Sequence, residues 1–179
     1  MNRRRGIGVI VGIAILVLIG IAAGMPWALS EWREARVEAG LQNGGYVVYL
    51  RHADRNAGPK EKLSAESKLA DFSQCATQRN LTDEGRSDAT KIGTTLQSLG
   101  IPVGRVIALP LCRTRDTAML AFGRAALEPR LYDPDFVAKL LAVAPAAGTN
   151  TVLVDTEDQV RRLIGLELRP AEAAVFKPK

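Results

Sequence analysis

The chain holds a single histidine among 179 residues, His52, and an arginine stands directly before it. Neutral imidazole is a competent nucleophile near pH 7. Arginine offers a fixed fork of donors suited to phosphate oxygens. Arg51 and His52 together are therefore the minimum for attack on a phosphoryl group, although a lone histidine is more often a surface or satisfied core residue. Arg113 opens a helix-like stretch, where the dipole favours a basic residue least. It is either an ordinary solvated side chain or is aimed at an anion shared with the helix amides. Asp155, Glu157 and Asp158 gather later in the chain. Without His or Cys nearby they read as solvated acids on a short helix, and neither metal nor cofactor is expected.

These residues need elements to place them. Tyr46–Leu50 (YVVYL) is apolar, β-branched and aromatic, which predicts a buried strand ending at Arg51-His52. Thr82 is a good N-cap, after which Ala89, Ile92, Leu96 and Leu99 recur at helical spacing until Gly100. The segment 105–109 (RVIAL) reads as a strand, and 113–122 as a helix closed by Gly123. A helix over 135–144, a strand over 151–154, a short helix over 158–164 and a last strand over 173–176 follow. Strands alternating with helices predict an α/β fold, a three-layer sandwich with a mostly parallel central sheet. In such sheets ligands gather beyond the carboxyl ends of the strands. Arg51-His52, Cys112-Arg113 and Asp155-Thr156 all fall there.

Charged residues make up 24% and hydrophobic ones 47%, a globular balance. The net charge of +5 includes Arg3, Arg4 and Arg5, and no other charge precedes Glu31, so the remainder carries only +2. No basic stripe with interleaved aromatics occurs, and no nucleic-acid partner is expected. Residues 7–29 are 23 uncharged, mostly apolar positions. As a helix they would span roughly 35 Å, against a hydrocarbon core of about 30 Å. Residues 1–30 are thus expected to be a single-pass membrane anchor, with the arginine cluster cytoplasmic and the remainder periplasmic or extracellular. A cleaved signal peptide is the rival, through the small-x-small site Ala28-Leu29-Ser30. Residues 31–43 (SEWREARVEAGLQN begins at Ser30) read as a polar stalk, and 44–179 as the folded domain. Cys75 and Cys112 lie in that domain, where a disulfide could persist or the two could be separate buried residues.

The run Val47-Val48-Tyr49-Leu50-Arg51-His52-Ala53 resembles the strand and RHG/RHA signature of the histidine phosphatase (phosphoglycerate mutase-like) superfamily. Leu81-Thr82-x-x-Gly85-x-x-x-Ala89 resembles that family's LTxxGxxxA helix. Leu109-Pro110-Leu111-Cys112-Arg113-Thr114, followed by Thr117-Ala118, resembles its SPxxRTxxTA element. Three motifs in the right order span the exported domain. The wider flavour (GGYVVYLRHA, CATQRNLTDEG, PLCRTRDTA, EAAVF) is similar to periplasmic members near the lipopolysaccharide core heptose phosphate phosphatases. The resemblance implies that His52 attacks phosphorus and carries a phosphohistidine, while Arg51 and Arg113 bind the phosphate oxygens. It implies a proton donor for the leaving group in some branches, with Asp54, Asp133 and Asp135 as candidates. It also places Cys112 at the pocket rim and Cys75 near it, so a disulfide clamping two pocket loops is expected.

The pattern breaks at one point. The family sets a second histidine after the last central strand, in a form like VLVGHGNN; here the stretch is Val152-Leu153-Val154-Asp155-Thr156-Glu157-Asp158. Thr156 stands at the histidine position and can offer one hydrogen bond without charge. The acids around it add negative potential to a site meant for a dianion. Two functions follow: a phosphomonoesterase slowed by a missing donor, or a catalytically degenerate module that binds a phosphorylated ligand or a partner at the membrane. Export favours a phosphorylated small molecule or an envelope glycolipid as the ligand.

Overall fold

Every residue from Val47 to Leu50 is buried, and burial on both faces is the mark of an interior strand. The computed structural model describes residues 11–13, 27–58, 62, 67 and 69–178. Its strands are β1 (Val11–Ile13), β2 (Val47–Arg51), β3 (Val103–Ala108), β4 (Ala126–Leu127), β5 (Asn150–Asp155) and β6 (Ala173–Phe176). They form one sheet in the order β1-β6-β2-β5-β3-β4. The helices are α1 (Trp27–Asn43), α2 (Asp83–Ser98), α3 (Cys112–Phe122), α4 (Pro134–Ala142) and α5 (Glu157–Ile164). The period-2 alternation of β2 divides the core in two. Val48 and Leu50 pack with Leu41, Ile92 and Ala118, beneath α1, α2 and α3. Val47 and Tyr49 pack on the other face with Phe72, Leu131 and Val137. The result is a sheet flanked by helices on both sides.

The sheet is mixed: it is mostly parallel, and β6 runs against its neighbours. β2, β5, β3 and β4 run parallel, while β6 runs antiparallel to β2. The reason lies in the short link after α5. Leu168 O accepts a hydrogen bond from Arg51 and Ala171 N donates to His52 O. The chain is thus already at the carboxyl end of β2 when the last strand begins, and it can only run back down. The polar 52–80 stretch contains two short 3-10 turns, Leu69–Ser73 and Cys75–Thr77.

The polar segment expected as a stalk is helical from Trp27 onward, and its far end docks on the domain. Leu41 is buried in the core, Asn150 Nδ2 donates to Leu41 O, and Gln42 Nε2 donates to Leu99 O. Gly44, at φ +78°, then turns the chain so tightly that a Cβ would sit 2.5 Å from Thr149 N. Of the apolar run 7–29, residues 11–13 pair with β6 as a short strand and 27–29 begin α1. The rest of the expected anchor lies outside the described residues. Among the described residues, no helix is long and apolar enough to cross a membrane.

Candidate active site

Three chain segments hold the backbone around His52. Its N–H donates to Asp155 O at the end of β5 (3.0 Å), and its carbonyl accepts from Ala171 N (3.2 Å). The next amide, Ala53 N, donates to Thr117 Oγ1 on α3 (3.2 Å), and Thr117 in turn donates to Arg113 O. Behind it, α2 approaches closely. Thr82 N donates to Asp54 O, Thr82 Oγ1 bonds Asp54 Oδ2 at 3.0 Å and caps Gly85 N at 2.9 Å. A Cβ on Gly85 would stand 2.1 Å from Asp54 O. The glycine of the LTxxG pattern is therefore a packing requirement, one that a helix-start reading alone does not reveal.

The His52 ring is buried. Its Nδ1 lies 2.7 Å from Ala53 O, which is acceptor-only, so Nδ1 carries the proton and Nε2 the lone pair. Arg113 Nε–H donates to Nε2 at 3.2 Å. Burial drives the His52 pKa down to about 3, and the positive charges of Arg113, Arg51 and Arg55 push the same way. The ring is thus neutral throughout the physiological range, with its nucleophilic nitrogen turned to the second arginine. Arg113 is itself buried on the first turn of α3. Placing an arginine where the dipole opposes it is consistent with a site that collects anions.

Arg51 is already engaged. Its Nη2 makes an ion pair with Glu157 Oε2 at 2.9 Å, its Nη1 donates to Leu168 O, and its buried Nε has no partner in the structure. Register explains the meeting: Arg51 stands opposite Asp155 in the parallel β2–β5 pair, and Glu157 follows two residues later. Asp155 is fully buried. Its Oδ2 accepts from Tyr49 Oη and its Oδ1 from Thr156 N, both at 2.7 Å. Burial pushes the Asp155 carboxyl up to about 7, against the opposing pull of these bonds and of Arg113. The Tyr49 hydroxyl is raised well above its ordinary value by burial and by Asp155.

Thr156 is half-buried in the N-cap position of α5, with no side-chain capping bond. Asp54 is fixed against α2, two residues from His52. Asp133 caps α4 by accepting from Asp135 N, and Asp135 is exposed in the first turn of that helix. Cys75 and Cys112 are joined in a disulfide, Cα–Cα 5.7 Å, that ties the 69–80 segment to the first residue of α3. Gln78 Oε1 strengthens the tie by accepting from Cys112 N at 2.8 Å. Sequence reasoning missed Tyr49, Gln78 and Thr117 as site-building residues, and it read Glu157 only as background charge.

No protein-family model matches the sequence, and no curated protein does. Solved structures do. A protein described as the phosphohistidine phosphatase SixA from Agrobacterium tumefaciens superposes with a TM-score of 0.51 at 16% identity, over 75% of this chain and 92% of that one. A mycobacterial glucosyl-3-phosphoglycerate phosphatase complexed with VO3 gives 0.50 at 14%, over 74% and 92%. A protein described as an alpha-ribazole-5'-P phosphatase from Escherichia coli gives 0.50 at 15%, over 74% and 90%. At such identities the likeness is one of fold. With the three motifs placed around one buried imidazole on that scaffold, the chain shares the fold of these phosphatases.

Proposed function

We propose that this chain is an exported phosphomonoester hydrolase acting through His52, slowed by the absence of a second histidine. The observation that supports it most directly is the neutral ring, proton fixed on Nδ1 and lone pair on Nε2, facing Arg113. Nε2 attacks phosphorus, a P–N bond forms, and the P–O bond to the leaving group breaks. Arg51 and Arg113 take the charge spread over the equatorial oxygens. The departing oxygen collects a proton, and Asp54 is the nearest in sequence to His52 of the three candidate donors. Water then attacks phosphorus, inorganic phosphate leaves, and the imidazole is restored. Thr156 supplies one neutral hydrogen bond where the family has a histidine. Loss of one transition-state donor costs on the order of 100- to 1,000-fold in rate. The substrate is a phosphorylated small molecule or an envelope glycolipid on the far side of the membrane.

A second reading, a binding module without turnover, is favoured by one observation: Arg51 is held by Glu157 and the Leu168 carbonyl rather than left for a ligand. Hydrolysis of a generic aryl phosphate by the wild type, His52→Ala and Thr156→His separates the two. Activity lost in His52→Ala and raised in Thr156→His is the expected result. A silent wild type with gain in Thr156→His would replace the enzyme by the binding module, and silence of all three would remove the hydrolase and leave the binding module to be tested by direct anion binding.

A further inference from the structure

The mechanism above leaves one buried ionisable group unused. Asp155 lies fully inside the protein, yet its backbone carbonyl receives the His52 N–H and its residue stands in register with Arg51. It occupies a position where the family resemblance expects a small, uncharged residue. A buried carboxylate beside a bound dianion is a like-charge contact in a medium that screens poorly, and the ordinary relief is for the carboxylate to take a proton.

Resting on the phosphate-site reading above, we propose that Asp155 makes anion occupancy of this site proton-linked: a phosphate-like dianion enters with a solvent proton that settles on the Asp155 carboxyl. The groups facing Asp155 fit this. From β2 come the Tyr49 hydroxyl, which donates to Oδ2, and the Arg51 cation, paired with Glu157. From α3 comes Arg113, whose charge favours the ionised form, and from α5 comes Asp158, whose charge disfavours it. His52 is neutral and the Tyr49 hydroxyl protonated across the physiological range, whereas Asp155, with its carboxyl near 7, changes charge within it. Tyr49 marks Asp155 as a built acid rather than a stray one, since its hydrogen bond holds the ionised form in place when the site is empty. Asp155 is a positioning residue for charge and touches no reacting atom.

The test is binding of inorganic sulfate, a dianion throughout the range used, to the full-length protein between pH 6 and 8.5. Calorimetry in two buffers of different ionisation enthalpy counts the protons. In the wild type Kd should rise by about tenfold per pH unit above about 7, with close to one proton taken up. Asp155→Asn keeps the volume and should flatten the profile. Tyr49→Phe removes the bond that favours ionisation and should move the break to higher pH. A wild-type profile that is flat, or a slope that survives Asp155→Asn, overturns the proton link and leaves the anion site standing. Absence of sulfate binding at every pH overturns the link and the phosphate-site reading together.

Discussion

Breaking the Cys75–Cys112 bond should separate what holds the domain together from what performs its chemistry. The bridge closes a loop with a sequence separation of 37. In the chain-entropy description such a loop removes about 4 kcal/mol of freedom from the unfolded chain at 25 °C. For a domain of this size that corresponds to a fall in Tm of roughly 10–15 °C on reduction. The first turn of α3 keeps other anchors: Leu111, Thr114, Thr117 and Ala118 are buried, and Thr114 Oγ1 donates to Leu111 O at 2.8 Å. Arg113 should therefore hold its place near His52 at 25 °C, while the 69–80 segment, which sends Phe72 into the core, loosens. The assay is urea denaturation of wild type and of Cys75→Ser/Cys112→Ser, oxidised and reduced, followed by activity or anion binding well below the transition. A loss below 1 kcal/mol, with no free thiol in the starting protein, would refute the loop-entropy argument. A collapse of anion binding under conditions where the protein stays folded would refute the claim that α3 is self-supporting.

Two further predictions concern charge. Glu157→Gln should tighten dianion binding by about two- to fivefold, because the ion pair it forms with Arg51 is partly exposed and such pairs contribute up to about 1 kcal/mol; competition of sulfate or phosphate against an aryl phosphate measures it. Asp155 should also leave a mark on stability. Its carboxyl stands near 7 in the folded protein, against 3.8 for an ordinary aspartate, so between those values the folded state keeps a proton that the unfolded chain releases. Stability falls as pH rises through this window and levels off above 7, a total of roughly 4 kcal/mol. Asp155→Asn should lack that fall and gain on the wild type from pH 4 to 7, which urea titrations at pH 5 and 8 would show. Burial of His52 works in the opposite direction, its folded pKa being near 3, and is common to both proteins.

The strands and helices nearest the site were legible because each carries a local signal. The β-branched run gives β2, Thr82 does cap α2, and Gly123 in the left-handed region does close α3. The two-residue β4 has no pattern long enough to read. The direction of β6 depends on where the 165–172 link ends, which no periodicity encodes. At the site, the three conspicuous segments do meet, since each ends or follows a strand of the same sheet. The ion pair of Arg51 with Glu157 and the bond from Tyr49 to Asp155 were not legible. Both arise from the register of β2 against β5, whose bonded residues Tyr49 and Asp155 are 106 positions apart.

That register has a consequence for the order in which the molecule can form. The two neighbours of β2 in the sheet are β5 and β6, both made long after it. Until they arrive, the strand that carries His52 has no partner on either edge, and its apolar residues wait exposed beside α1 and α2. Pairing across such distances is slow, because the loop must close before any contact rewards it. His52 is among the earliest residues of the domain to be synthesised and among the last to find its place. A nascent or prematurely ended chain lacking residues 173–176 would present an open β-edge in place of a functional pocket, and its natural fate is association with other chains.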